Sequence, residues 1–111
     1  MSDAPQRHSK TESEIRNIAL DMRGKLDAGE LLTGTPTIEE VDTTDLTLSS
    51  KALNTAIITV NGLQVPVSQA IQFLVTGGTA GTTYTIRVTV TTTSTPAQTL
   101  IENLHLKVIA D

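Results

Sequence analysis

The sequence contains no cysteine and no tryptophan, and its only aromatic residues are Phe73 and Tyr84. Without cysteine, the chain has no disulfide framework, no thiolate metal ligand and no thiol nucleophile. Two aromatics are too few for the stacking platforms that usually bind single-stranded nucleic acid. The net charge of −4 argues against a partner held by phosphate attraction, so no nucleic acid is expected. No apolar run approaches the roughly 18 residues of a membrane span, so no membrane partner is expected.

Threonine is the most abundant residue, at 20 of 111 positions, and charge is concentrated in the first 45 residues. No acidic residue occurs from Leu46 to Ile101, a stretch built mainly from Thr, Ser, Val, Ile, Leu and Ala. This β-branched composition favours pleated, half-buried surfaces. The shift predicts an extended N-terminal arm, residues 1–16, followed by a β domain, residues 17–111. Small domains without disulfides or metals are often stabilised by oligomerisation, so a homo-oligomer is expected.

Alternation of apolar and polar residues predicts most of the strands. In residues 83–92 the apolar side chains alternate with threonines and one arginine, as in a strand with one face in a core and one in water. Asn61-Gly62 separates two short apolar runs and predicts a hairpin with a type I′ turn. About seven short strands at this spacing favour an all-β fold, an immunoglobulin-like β-sandwich. The other expected strands cover residues 37–41, 46–48, 71–75 and 100–108.

Residues 15–32 fit two alternatives. Apolar residues recur at helical spacing over residues 15–26, and a capping-box pattern precedes them. However, Ile18, Leu20 and Met22 also alternate, which suits a strand that ends near the following glycine. Periodicity alone leaves the choice close to even, with a slight preference for the helix.

Tyr84 stands at the start of the longest alternating segment, three residues after Gly81. In immunoglobulin-like sandwiches a tyrosine corner occupies this place, and its hydroxyl bonds back to upstream backbone. We interpret Tyr84 as such a corner, with Gly81 allowing the close approach that the bond needs.

Sequence patterns typical of catalytic, metal-binding or phosphate-binding sites are weak in this chain. His8 and His105 are the only histidines, and neither belongs to a set of three or four zinc ligands. The acidic residues within 39–45 lack the calcium-loop pattern, so a solvated loop is the better interpretation. Residues 77–82 look like a phosphate loop, but Thr82 stands where the lysine is needed and a strand follows. We therefore expect no enzyme, no catalytic residue, no metal and no cofactor.

The segment GGTAGTTYTI, residues 77–86, followed by VTVTT, residues 88–92, closely resembles a signature of small virion proteins of tailed bacteriophages. Residues 18–30 are similar to the opening strand and turn of that family, and residues 100–108 to its last strand. Together these stretches cover about residues 17–109. The chain departs from the family where Met22 replaces a usual tryptophan, and where Ser94-Thr95-Pro96 replaces a glycine-containing hairpin.

Members of that family are immunoglobulin-like sandwiches described as capsid cement (decoration) or fibre-to-tail adaptor proteins. The resemblance implies a non-enzymatic cement protein that binds the major capsid protein on the outer surface of the head, and it favours a strand over residues 17–23. The expected location is the virion, after synthesis in the host cytoplasm, which the lack of cysteine suits. No signal peptide is expected at the N-terminus. The alternatives are a tail-fibre adaptor and a carbohydrate-binding immunoglobulin-like module.

In this interpretation the arm extends across a seam between capsid subunits, and trimers at local three-fold positions are the oligomer considered. Many weak contacts would add up, because exposed ion pairs are individually worth little. The predicted capsid-contact residues of the arm are Asp3, Arg7, Lys10, Glu12, Glu14 and Arg16.

Overall fold

Strands dominate the part of the chain that the computed structural model describes, which is residues 6–60 and 62–111. No α-helix occurs in it, and one short 3-10 helix covers Arg23–Lys25. The all-β prediction is therefore confirmed. In chain order the strands are β1 (Gln6–Thr11), β2 (Arg16–Asp21), β3 (Leu32–Val41), β4 (Leu46–Leu53), β5 (Ile58–Val60), β6 (Leu63–Val65), β7 (Ala70–Gly77), β8 (Thr83–Thr92) and β9 (Thr99–Ile109).

The strands form two main sheets and one separate hairpin. The four-stranded sheet has the order β1-β9-β8-β3, and the three-stranded sheet has the order β2-β7-β4. All pairs are antiparallel except β1 and β9, which run parallel. The hairpin of β5 and β6 forms as predicted, with Val60 opposite Leu63. Gly62 in its turn has a φ of +80°, whereas Asn61 lies outside the described residues.

The core lies between the two main sheets, in a sandwich-like arrangement. Strand β8 alternates buried and outward positions along its length, so every apolar side chain that it carries points inward. Strand β7 supplies the facing layer of the other sheet. Both aromatic residues are buried here, which leaves none on the surface. The buried cluster comprises Ile18, Leu20, Met22, Leu32, Ile38, Ile71, Phe73, Val75, Tyr84, Ile86, Val88, Val90, Leu104, Leu106 and Val108.

The ambiguous segment near Ile18 is a strand, as the resemblance favours, and not the helix that periodicity slightly preferred. Strand β2 pairs with β7 from Arg16 to Asp21, so the strand begins one residue before the expected range and ends two residues earlier. Ile18 and Leu20 point into the core, and Met22 continues the same alternation just beyond the strand. Burial against β7 therefore decides the structure, because tertiary packing overrides a weak local preference.

The predicted N-terminal arm contains a strand that the sequence pattern does not predict. Within the predicted arm of residues 1–16, Gln6–Thr11 is strand β1, and its six residues pair in register with residues 104–109 of β9. The pattern gave no sign of this strand, because it contains no apolar residue and its pairing is made by backbone groups. The arm over these residues belongs to the chain's own sheet.

Two buried polar side chains close the core at opposite ends. Lys10 closes the end where β1, β7 and β9 finish, as described below. At the other end, the Asn54 side-chain amide donates to the carbonyls of Ala56 and Pro66, at 3.0 and 2.7 Å. Its oxygen accepts the backbone N–H groups of Gln69 and Ala70. Asn54 thus satisfies the backbone where β4 leaves the three-stranded sheet and β7 enters it.

The close approach assigned to Gly81 belongs instead to Gly78. A Cβ on Gly78 would lie 2.7 Å from Cγ2 of Val108 and 3.2 Å from the Tyr84 ring, whereas a Cβ on Gly81 would meet nothing within 4 Å. Both glycines have positive φ, at +97° and +87°. Gly81 is therefore favoured by its backbone conformation alone, and Gly78 by both its conformation and lack of space.

Replacing these two glycines separates the two effects. Gly78→Ala should lower the free energy of unfolding by about 3 kcal/mol, because strain at positive φ adds to overpacking against Val108. Gly81→Ala should lower the free energy of unfolding by only about 1 kcal/mol, because only the strain at positive φ applies there. Denaturant unfolding of both variants measures the difference, and equal losses would contradict the assignment of close packing to Gly78.

Candidate functional site

The predicted contact residues of the arm do not form one exposed surface. Asp3 lies outside the described residues, and Arg7 lies on β1 opposite His105 of β9. Lys10 is buried, with 1% of its surface exposed. Glu12, Glu14 and Arg16 follow in or next to the turn between β1 and β2. A Glu14 oxygen lies 3.7 Å from an Arg16 guanidinium nitrogen, and both side chains are substantially exposed.

Lys10 ties the two sheets together where β1 ends. Its ammonium group donates to the carbonyl oxygens of Thr11 at 2.6 Å, Glu12 at 3.2 Å and Gly77 at 2.8 Å. Gly77 ends β7 in the other sheet. An ammonium group has three donors, so these three carbonyls saturate it. Lys10 thus stabilises the fold, and its buried charge does not contact a partner.

The turn after β1, residues 12–15, is closed by polar contacts. The Glu14 carboxylate accepts the backbone N–H of Thr11 at 2.7 Å, and this bond is the main cause that lowers the pKa of Glu14. Ser13 donates its backbone N–H and its hydroxyl to the carboxylate of Asp111, which lowers the pKa of Asp111. The backbone N–H of Glu12 donates to the carbonyl of Ile109. The turn is therefore joined to the end of β9.

The Tyr84 hydroxyl makes the contacts of a corner. It accepts the backbone N–H of Thr79, five residues upstream, at 2.8 Å, and it donates to Asp45 Oδ2 at 2.8 Å. The Tyr84 side chain is 1% exposed. Through these two bonds Tyr84 fixes the loop before β8 and the loop between β3 and β4.

Two acidic side chains at the connection between β3 and β4, those of Glu40 and Asp45, accept hydrogen bonds from the protein itself. The Glu40 carboxylate accepts the backbone N–H groups of Asp45 and Leu46, each at 2.9 Å, and the hydroxyl of Thr43. Asp45 in turn accepts the Tyr84 hydroxyl. Within residues 6–60 and 62–111, no group of three or more acidic or histidine side chains is placed to hold a metal ion.

One broad surface is rich in threonine: the outward side of β8 and β9, which we call the threonine face. Beside it, His8 and Ser9 of β1 together with Thr83, His105 and Lys107 line a shallow depression of about 300 Å³. Ser9, Lys107 and Thr83 form one row across three strands, because Lys107 is in register with both of the others. The outward residues are Thr83, Thr85, Arg87, Thr89 and Thr91 of β8 and Thr99, Ile101, Asn103, His105, Lys107 and Ile109 of β9.

His8 lies on the inward side of β1, in register with Leu106. Its Nε2 atom is buried and has no hydrogen-bond partner. Burial, and secondarily the positive charge of Arg16 on β2, lower the pKa of His8. The edge of the sandwich at β1 therefore disfavours an additional positive charge.

Sequence reasoning missed three polar residues that organise the fold. The charge pattern places Lys10 among the exposed arm residues, and no sequence motif marks Asn54. Glu30 was also overlooked, although it is buried and its carboxylate accepts the backbone N–H of Asp27, the main cause that lowers its pKa. The motif that could have indicated Glu30 is its spacing of three residues from Asp27, which resembles a capping box.

Comparisons with protein-family models, with curated proteins and with solved structures found no match. Among the described residues there is no helix with the length and hydropathy needed to cross a membrane. The assignment of a function therefore depends on the chain's own surfaces and on the resemblance seen in its sequence.

Lys10→Met tests the tie between the sheets. The variant keeps the length of the apolar stem but leaves three carbonyl oxygens without their donor, so the free energy of unfolding should fall by about 3 kcal/mol. Lys107→Met, on the exposed side of the adjacent strand, should change it by less than about 0.5 kcal/mol. Denaturant unfolding compares the two, and a small effect of Lys10→Met would show that its bonds are not stabilising.

Acidification should destabilise the chain through His8. Because the pKa of His8 is lowered in the folded state, the unfolded state binds more protons, and stability falls as the pH drops through about 6.5. Unfolding free energies at pH 7.5 and 5.5 measure the loss, in a range where carboxylates contribute little. His8→Gln should reduce this loss, so a pH dependence that is unchanged in the His8→Gln variant would count against His8 as the cause.

Proposed function

We propose that this chain is an immunoglobulin-like capsid cement protein, a non-enzymatic component of a bacteriophage virion that binds the major capsid protein. The order of the strands supports the fold assignment. Taking β2, β3, β4, β7, β8 and β9 as strands B to G of an immunoglobulin sandwich gives the sheets B-E-D and C-F-G, which is the pairing of that fold. Strand β1 then lies beside strand G, and Tyr84 lies at the start of strand F.

The observation that carries the function is the composition of the threonine face. The ionised side chains that face outward from β8 and β9 are those of Arg87 and Lys107, and no carboxylate faces outward from these two strands, although the chain as a whole has a net charge of −4. Arg87 lies 3.9 Å from a carboxylate oxygen of Glu39 on the neighbouring strand β3, which leaves Lys107 as the cation of this face without that compensation. Short threonine side chains lose less conformational freedom on binding than lysine, arginine or glutamate. A rigid sheet surface of this kind suits a broad contact with a neutral or acidic protein surface.

The size of this sheet surface is adequate for such a contact. Three strands of about ten residues and one of six, about 4.8 Å apart, cover roughly 600 Å². A standard protein interface buries about 800 Å² on each partner, so the outward surface of this sheet and its rim would supply one. Ile101, which is 51% exposed, lies on this face opposite Thr89 and would contribute apolar contact.

The proposed mechanism is distributed contact. One chain bridges neighbouring capsid subunits, and many copies per head add their binding energies, so the shell resists the outward pressure of packaged DNA. The burial of Lys10 changes which residues of the arm take part in the proposed contact. With Lys10 buried, the charged residues of the predicted arm whose side chains the structure describes at the surface are Glu12, Glu14 and Arg16, in or next to the turn after β1.

The two alternatives differ in their support. A carbohydrate-binding module usually offers an exposed aromatic platform. Both aromatic side chains of this chain, Phe73 and Tyr84, are buried, so this alternative loses its expected binding group. A tail-fibre adaptor would be built from the same fold and is distinguished by copy number, because cement proteins are present in hundreds of copies per particle.

Binding to phage heads that lack the chain tests the proposal. Lys107→Glu reverses a charge on the threonine face and should weaken binding about tenfold, because like charges at an interface are unfavourable. Lys51→Glu on β4, in the opposite sheet, makes the same change in net charge and should bind as the original chain does. Cosedimentation with heads measures occupancy.

Two results would contradict this proposal. Equal occupancy of the Lys107→Glu and Lys51→Glu variants would exclude the threonine face as the contact. Quantitative mass spectrometry that found only a few copies per particle, relative to the major capsid protein, would favour the adaptor instead.

A further inference from the structure

Strand β1 is bound to the sandwich without contributing to its apolar core. Its sequence, QRHSKT, contains no apolar residue, and none of residues 8–11, whose side chains the structure describes, belongs to the buried cluster. The strand is attached by the backbone ladder to β9 and by the bonds of Lys10. The cluster is supplied by residues of β2, β3, β7, β8 and β9 and by Met22. Detaching β1 therefore exposes the edge of β9 and the Gly77 carbonyl that Lys10 binds, but it removes no side chain from the cluster.

The edge that β1 covers would then be open to strand addition. Residues 104–107 of β9 pair with β8 on one side, and residues 104–109 pair with β1 on the other. A strand edge with unpaired N–H and C=O groups is a template for an extended segment. The segment already fitted to this edge is Gln6–Thr11 itself, including the position of Lys10 next to the Gly77 carbonyl.

Exposed apolar side chains flank the point at which β1 would leave the domain. Ile15, at the end of the turn after β1, is 66% exposed, and Ile109, at the end of β9, is 42% exposed. The turn is joined to this end of β9 by the bond from the Glu12 N–H to the Ile109 carbonyl. When two chains exchange a terminal segment, their hinges come together, so these isoleucines would gain apolar contacts that a single chain lacks.

We propose that β1 is an exchangeable strand, and that the edge of β9 binds Gln6–Thr11 of a second copy of this chain. The occupant is a second copy because the exchange restores every contact that β1 makes within one chain, including the Lys10 bond to Gly77. The exchange adds contacts at Ile15 and Ile109, and it requires the turn of residues 12–15 to open. Exchange of an identical element is a low-cost route to an oligomer. This inference does not depend on the proposed virion role.

Disulfide trapping between two single-cysteine variants tests the exchange. The chain has no cysteine of its own, so every disulfide reports an introduced pair. Ser9 and Lys107 are in register on β1 and β9. A Ser9→Cys chain mixed with a Lys107→Cys chain should form a 9–107 link between the two chains, both under native conditions in a thiol redox buffer and after unfolding and refolding as a mixture. Proteolysis and mass spectrometry identify the linked peptides.

Thr99→Cys is the matched control for Lys107→Cys. Thr99 is also exposed on β9, but it lies outside the stretch that pairs with β1. The 9–107 link should exceed the 9–99 link at least tenfold. Equal yields of the two links, in the native and in the refolded mixture, would overturn the proposal.

A double variant, Ser9→Cys with Lys107→Cys in one chain, gives a second and independent result. Closing this disulfide within one chain holds β1 on its own β9. Sedimentation at increasing concentration should then give a monomer for the closed form and a dimer once the disulfide is reduced. A dimer that persists in the closed form, or a monomer in both forms, would contradict exchange of β1 as the basis of association.

Discussion

The structure depends on burial of aliphatic side chains between two sheets with almost no aromatic residue to fill the space. Phe73 and Tyr84 are the only large rings in the core, and the remainder is leucine, isoleucine, valine and one methionine. Such side chains are supplied by strands that alternate strictly, because each strand then contributes every second residue to one layer. The abundance of threonine follows from the same constraint, because most threonines of β8 lie on its outward side, at positions that alternate with its core residues.

A core of this kind is open at both ends of the sandwich, and polar groups close it. Lys10 and Asn54 are each 1% exposed, and each bonds several backbone groups where strands enter or leave the sheets. A buried polar group is tolerated when its hydrogen-bonding capacity is met, and it is costly when a partner is removed. The Tyr84 hydroxyl, between Thr79 and Asp45, acts in the same way at the loops beside Lys10. Directional hydrogen bonds thus specify the two ends of the core, and burial of apolar surface stabilises its middle.

This division explains how much could be predicted from the sequence. Strands β7, β8 and β9 and the β5–β6 hairpin were predicted because alternation and turn chemistry are local signals. Strand β1 was not, since it carries no apolar pattern and pairs with a strand almost 100 residues away. The role of Lys10 could not be inferred either, because its acceptors are backbone carbonyls, one of which lies 67 positions along the chain. The Tyr84 corner could be proposed because its motif is local, but the glycine packed closely against the Tyr84 ring is Gly78, whose closest neighbour, Val108, is distant in sequence.

The proposed contact surface and the proposed exchange of β1 are structurally compatible. The row of Ser9, Lys107 and Thr83 crosses from β1 to β9 and β8 on the outward side of the sheet. If Gln6–Thr11 is supplied by a second copy, the same row is rebuilt from two chains, because the register along β9 is set by backbone pairing and not by covalent connection. The outward surface would then extend across the junction of two copies without a change in its composition. A capsid protein bound there would contact both chains at once. Each exchange would link neighbouring copies through β1, and no side chain would have to leave the core of either chain.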